Sequence, residues 1–163
     1  MATYRQVKTL TPVEAAYIAG LVDGEGTISL ARKHRLENRQ LVVSISSTEI
    51  GLLKYVQDAV GAGRITNKRT YNKKHTPSKT YQISNRQALD FLKQIAPYLK
   101  SYKVDRVALI LKHYLRLTPR NGRYSSRQIE EREAFIRQFF ALRSNYAPPS
   151  KDILQTSQVS AIT

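Results

Sequence analysis

Tyr17-Ile18-Ala19-Gly20-Leu21-Val22-Asp23-Gly24-Glu25-Gly26 decides how the rest of the chain is read. An apolar helical run ends in an acidic, glycine-rich turn. Ala16, Gly20 and Gly24 recur at every fourth position and therefore share one helix face. A face of small residues lets another backbone approach unusually closely. Asp23 and Glu25 fall at or just past the helix C-terminus, where the helix dipole disfavours negative charge. Carboxylates set against that preference point to a metal cation as their partner.

Upstream, the start of this helix is equally marked. Thr11 is a suitable N-cap, Pro12 occupies the first helical position, and Glu14 completes a capping box. The helix is expected to run to about Val22, with residues 1–10 forming a loose polar arm.

Downstream, periodicity changes to two. Thr27–His34 and Gln40–Ser47 alternate, with Ile28, Leu30, Leu41, Val43 and Ile45 on one face, as half-buried strands do. Arg35, Glu37, Asn38 and Arg39 sit in or beside a polar hairpin tip. Ile50–Val60 reads as a helix stopped by Gly61. Arg64–Tyr71 and Lys79–Ser84 read as a second strand pair, joined by a Lys- and Asn-rich turn. Three further helices are expected over Arg86–Leu99, Val104–Leu117 and Gln128–Leu142. On the middle one Val107, Ala108, Leu111 and Leu115 are the periodic apolar set. The Ser- and Pro-containing segment from Ser144 reads as a tail that is mobile or draped on a partner. The expected organisation is an arm (1–10), one α+β domain (11–143) and that tail (144–163).

Composition narrows the partners. The chain has 163 residues, enough for one domain with a real core, and carries a net charge of +15. A polyanion partner follows, nucleic acid being the commonest. The charge is uneven: residues 1–26 carry two bases and three acids, whereas residues 27–103 carry 15 bases and four acids. An acidic site thus stands alone beside a basic middle, which suits metal-dependent chemistry on a phosphate backbone better than passive binding. There is no cysteine, which excludes disulfides and thiolate metal sites and fits an intracellular setting. His34, His75 and His113 lack ligand spacing, so a structural zinc is not expected. No apolar run of spanning length appears, so a soluble protein without a membrane partner is expected.

The string Ile18–Gly26 resembles the nine-residue signature of the LAGLIDADG homing endonucleases. Ala19, Gly20, Leu21, Asp23 and Gly26 match; Ile18, Val22, Gly24 and Glu25 are mild replacements. The order helix, two strands, helix, two strands, helix resembles that family's αββαββα core with an antiparallel DNA-binding sheet. Additional C-terminal helices follow it. One signature string occurs, which resembles the members that act as homodimers.

The resemblance implies that two signature helices pack side by side. Their contact would use Ala16, Ala19, Gly20, Asp23 and Gly24 of each copy. A two-fold dimer uses the same patch on both partners and asks for a near-palindromic duplex. It also implies cleavage of both strands across the minor groove, leaving short 3′ overhangs. Glu25 is the expected catalytic and metal-binding carboxylate, with the Gly24 carbonyl as a backbone ligand. Mg²⁺ is the expected cofactor, and Mn²⁺ or Ca²⁺ suit the same hard oxygen donors. Asp23 matches an acid that is usually structural in the family. Lys103 is the expected active-site lysine, with Lys100 as its rival, and Ser47 is expected to hold active-site water.

The polar strand faces are expected to meet DNA. Ser29, Lys33, Arg35, Arg39, Gln40 and Ser44 line one ribbon. Arg64, Thr66, Lys68, Thr70, Thr80 and Gln82 line the other. Strand ribbons enter the major groove, where such side chains read base edges. Lys73, Lys74 and Lys79 are expected on phosphates, setting affinity rather than sequence. Two other functions share this fold: an intron RNA maturase, and a non-catalytic DNA-binding regulator. Regulators of that descent typically lose the acid at position 25, and this chain keeps one.

Overall fold

The structure is a computed structural model that describes residues 5–32, 34–68 and 76–143. Lys33, Thr70, Lys73, Lys74 and the tail from Ser144, each given a role above, lie outside the described residues. In chain order the elements are α1 (Pro12–Glu25), β1 (Gly26–Ala31), β2 (Gln40–Ser47), α2 (Ile50–Val60), β3 (Arg64–Asn67), β4 (Lys79–Ser84) and α3 (Asn85–Ile95). A single 3-10 turn (Ala96–Tyr98) then leads to α4 (Lys103–His113) and α5 (Ser126–Ala141). This is the expected αββαββα core with two additional helices.

The sheet is antiparallel throughout, in the order β1-β2-β4-β3. Period-two alternation sorts its faces. Ile28, Leu30, Leu41, Val43, Ile45, Tyr81 and Ile83 are all buried, and α1, α2 and α3 pack against β2 and β4 to cover them. The opposite face is polar. Its register aligns Thr27, Ser44, Gln82 and Arg64 in one cross-strand row, and Ser46, Thr80 and Thr66 in the next. Ser46 Oγ and Thr80 Oγ1 share a hydrogen bond of 2.8 Å within that row.

Local signals place several boundaries. Thr11 accepts from the Glu14 amide and the Glu14 carboxylate accepts from the Thr11 amide, completing the capping box. Gly61 adopts φ 70°, the left-handed conformation that ends α2. Ser125 and Gln128 form an equivalent box at the start of α5.

Four expectations change. Residues 5–10 are not loose. The Lys8 amide donates to Val60 O, the Leu10 amide donates to Gln94 Oε1, and Gln87 Nε2 donates to Arg5 O, so the segment is tied across α2 and α3. Helix α1 continues past Val22 to Glu25, so its acids lie in the last turn itself. Strands β1 and β3 stop at Ala31 and Asn67, short of the hairpin residues once assigned to them. The buried face of α4 is Lys103, Val107 and Ile110, continued by Tyr114 and Leu117, while Leu115 is 54% exposed. Lys103 and Tyr114 are drawn inward by polar partners that periodicity does not see.

Arginines secure α5 along the edge strand β1. Arg106 donates to Ile28 O at 3.0 Å and to Leu142 O at 2.6 Å, lying between the rings of Tyr102 and Phe139. Arg39 donates to Leu30 O at 3.0 Å and stacks on Phe140. Arg132, only 8% exposed, donates to Leu117 O, Arg39 O and the Tyr124 hydroxyl. A guanidinium can satisfy several carbonyls at once because its five N–H groups are fixed in a planar fork. These contacts also occupy backbone acceptors along the outer strand of the sheet.

Candidate functional site

The end of α1 concentrates the chemistry. A helix leaves its last carbonyls without intrahelical partners, at the negative end of its dipole. Lys103, 6% exposed, reaches from the first turn of α4 to this end: its Nζ donates to Asp23 O at 2.8 Å, and at 2.6 Å to Val22 O, which also accepts from the Gly26 amide. A cation so placed contributes about 0.3–1 kcal/mol, rising to ~2 when partly buried. Burial lowers the Lys103 pKa, offset in part by the Asp23 carboxylate; Arg106 lowers it further and Glu25 raises it. Lys103 and Glu25 therefore share an electrostatic environment. Lys100 does not enter it in the same way: it is exposed, and its amide rather than its side chain meets the helix end.

Asp23 closes the other side of the junction. One carboxylate oxygen accepts from the Lys100 amide at 2.7 Å; the second accepts from the Ser101 amide at 3.2 Å and the Ser101 hydroxyl at 2.6 Å. Desolvation is the largest influence on its pKa and raises it. The bonds from Ser101 and Lys100 and the charge of Lys103 together outweigh that and hold it below the ordinary 3.8. The expectation that Asp23 lies on a partner contact is modified accordingly: its carboxylate is committed to the chain's own 100–101 loop.

A depressed folded-state pKa means that this stabilisation is fully present above the unfolded value of 3.8 and is lost as pH falls through the lower folded value. Asp23→Asn, which keeps one acceptor and turns an NH₂ toward backbone donors, should cost about 2 kcal/mol at neutral pH. The deficit should shrink below pH 3.8. Urea unfolding at both pH values measures it, and a pH-independent deficit would refute the charge assignment.

Gly26 is required by space rather than conformation. Its φ of −92° suits any residue, but a Cβ there would lie 2.6 Å from the Val22 Cα. The helix therefore turns into β1 with nothing between them, and Glu25 stands exposed at the corner.

The small-residue face of α1 points away from the core. Ala16, Gly20 and Gly24 are exposed, and a Cβ added at either glycine meets nothing within 4 Å. Val13 is 79% and Tyr17 49% exposed beside them. Tyr17 stands edge-on to Tyr55 of α2, with ring centroids 5.5 Å apart. Ala19 is the exception: it is 0% exposed and belongs to the chain's own core, so the expected partner contact at Ala19 is overturned. Position 19 lies on the side of α1 that carries Ala15, Ile18 and Val22.

The sheet residues divide. Ser29, Gln40, Ser44, Arg64, Thr66, Thr80 and Gln82 lie on the polar face, none of them buried. Lys68 and Arg35 are exposed beyond the strand ends, and Lys79 opens β4 opposite Asn67. Arg39 does not join them: its guanidinium is held by Leu30 O and Phe140, which removes it from the polar face. Ser47 ends β2, and its hydroxyl accepts from the Glu49 amide at 3.0 Å, a local turn contact.

Three polar residues were missed at the sequence level: Ser101, Arg106 and Arg132. Each has partners 15 to 93 residues away, beside the nearer Tyr124 for Arg132, and no local spacing announces the distant contacts.

A hard divalent cation fits the donors at this corner in kind. Glu25 offers an exposed carboxylate, and the Gly24 carbonyl belongs to the final turn, where intrahelical acceptors go unused. Among the described residues no group of three or more His, Cys, Asp or Glu is arranged to hold a metal. No helix among the described residues is long and apolar enough to cross a membrane.

Comparison with known proteins agrees with this architecture. The family profile described as a LAGLIDADG-like domain matches residues 12–96, from the first turn of α1 into the 3-10 turn. No curated protein matches in sequence. Among solved structures, the chain is similar to the homing endonuclease I-CvuI in complex with its target in the presence of Ca. The TM-score is 0.64 at 17% identity, over 88% of this chain and 91% of that one. It is similar to the archaeal intron-encoded homing endonuclease I-Vdi141I complexed with DNA, with TM-score 0.54, 14% identity and coverage of 84% and 88%. The group I intron-encoded homing endonuclease I-CeuI complexed with DNA gives TM-score 0.55, 16% identity and coverage of 81% and 68%. At such identities the likeness is one of fold.

Proposed function

The chain belongs to the family of LAGLIDADG-like domains, and on that premise we propose that it is a homodimeric, site-specific endonuclease that hydrolyses both strands of duplex DNA. The observation that carries this reading is the exposed small-residue face of α1 leading directly to the exposed Glu25. Two copies joined through Ala16, Gly20 and Gly24 bring two such corners to one axis, one for each strand. The sheets then extend outward from the axis with their polar faces on the same side. Similar folds captured on DNA, with I-CvuI in the presence of Ca or Mg, support duplex DNA as the partner.

In this reading each side chain has a physical task. Ser29, Ser44, Arg64, Thr66, Thr80 and Gln82 face base edges, where hydroxyls and amides adapt to either donor or acceptor. Arg35 and Lys68 continue the two ribbons toward neighbouring base edges, and Lys79 neutralises a phosphate. Asp23 holds the 100–101 loop against α1 and so fixes where Lys103 stands. Lys103, whose charged form burial disfavours and the Asp23 and Glu25 carboxylates favour, stands at the corner where negative charge would develop on the attacked phosphate. Glu25 and the Gly24 carbonyl of each copy would hold the divalent metal, Mg²⁺ first, with Mn²⁺ or Ca²⁺ suiting the same donors. When bound, such a metal supplies Lewis-acid stabilisation and an acidified water. Ser47 is assigned to water near that corner. Cleavage across the minor groove, with short 3′ overhangs, completes the proposal.

The deciding experiment is incubation of a randomised duplex library with the protein and Mg²⁺, followed by sequencing of the ends. A near-palindromic consensus with short, constant 3′ overhangs is the expected result. Retained binding to one sequence without any cut would leave a DNA-binding regulator instead. Splicing activity on intron RNA with no duplex cleavage would favour a maturase.

A further inference from the structure

We propose that the turn between α4 and α5 is a second, sequence-independent DNA contact that grips the phosphate backbone at the outer ends of the target, beyond the base-facing sheet. The inference rests on the endonuclease reading above.

The charge is the first observation. Between Arg106 and Ile129 the chain carries six Lys or Arg and no carboxylate. Arg116 and Arg127 are both paired to Glu131, and Arg106 is spent inside the fold. Arg120 and Arg123 are exposed, and neither side chain has an ion pair or hydrogen bond among the described residues. Arg120 shares a surface groove with Asp90 and Lys93 of α3 without pairing to either, and exposed cations that are not ion-paired repel one another unless an anion lies across them.

Location is the second. Helix α5 runs antiparallel to β1. Near its C-terminal end Leu142 O shares Arg106 with Ile28 O; nearer its start, Arg132 bonds the Arg39 carbonyl at the base of the hairpin. The start of α5 therefore lies at the end of the sheet opposite Glu25. Strand rise puts the hairpin base about 17 Å from the Gly26 corner. Helix rise places the turn roughly 9 Å farther along. At ~3.4 Å per base pair, that lies about seven to eight base pairs from the dimer axis. There the turn continues the basic end of the hairpin, where Arg32 and Arg35 stand.

The turn is also held in shape. The Gly122 amide donates to Pro119 O at 3.2 Å, with Gly122 at φ 64°. Asn121 Oδ1 accepts from the Arg123 amide at 3.1 Å, and Tyr124 is fastened by the buried Arg132. A fixed backbone lowers the ordering cost of placing two guanidinium groups on phosphates. Duplex DNA fits better than an acidic protein because the turn adjoins the sheet end that meets the same duplex.

The test compares wild type with Arg120→Ala/Arg123→Ala on the duplex recovered from the library, carried with long and with trimmed flanks. Each lost phosphate contact reduces the slope of log K against log salt by about 0.9, so the double variant should lose about 2 per subunit. Its affinity for the long duplex should fall roughly tenfold near physiological salt. Trimming the flanks should weaken wild type and leave the variant unaffected. Base preference and cut position should not change. A slope and trimming response equal to wild type would overturn the proposal, as would a loss confined to structured RNA. Wild-type protein that selects no duplex would instead remove the underlying reading, a distinct outcome.

Discussion

Glu25→Gln should reduce double-strand cleavage on the order of a thousandfold or more while leaving the fold and DNA binding in place. The residue is exposed at the corner between α1 and β1, so folding has little stake in it. Gln keeps the length and one acceptor oxygen but removes the charge that a hard cation requires. Loss of a carboxylate close to DNA phosphates also removes repulsion, so the variant should bind its target as tightly as wild type or more tightly. Two measurements separate the possibilities: equilibrium binding by fluorescence anisotropy, and single-turnover cleavage with Mg²⁺. Wild-type cleavage by the variant would remove Glu25 from the chemistry. Lost binding with an intact melting transition would give it a role in recognition instead.

Gly20→Leu should convert the protein to a folded monomer that no longer makes paired cuts. Position 20 lies mid-helix on the exposed face of α1, and an added Cβ meets nothing within 4 Å of the single chain. Within one subunit the substitution replaces a poor helix former by a good one, a gain of about 0.8 kcal/mol. Only a second backbone packed on this face would object to the side chain. Light scattering and thermal melting thus give opposed readings. A monomer whose fold is intact supports close packing of two α1 helices. A dimer of unchanged mass and activity would show that the helix face is not the interface. Tyr17 and Val13, exposed on the same side, would then need another explanation.

The core was largely legible. Alternation over Ile28–Leu30 and Leu41–Ile45 identified the buried sheet face because a strand presents successive residues to opposite sides. Thr11, Glu14 and Gly61 marked helix ends through local hydrogen bonds and backbone conformation, both of which are short-range. The site was legible where it is local, in the small residues and acids of one helix. It failed where partners are distant. Periodicity assigned Leu115 to the buried face of α4 and left Lys103 ambiguous, yet Lys103 enters the core because it bonds two carbonyls at the end of α1. Arg39 reads as a DNA contact from its place in a polar hairpin, but Leu30 O and Phe140 hold it inside the subunit. Ala19 matched the signature as readily as Gly20, and helix phase alone separates a core position from an exposed one.

The chain by itself determined the order of elements, the polar and apolar sides of the sheet and the one helix where small residues meet acids, since all three follow from spacings of two to four residues. Only the folded structure decided that Asp23 binds the 100–101 loop, that Lys103 rather than Lys100 closes the helix end, and that arginines fasten α5 to the edge of β1. Those contacts join residues far apart in sequence, whose geometry exists only after the helices have packed.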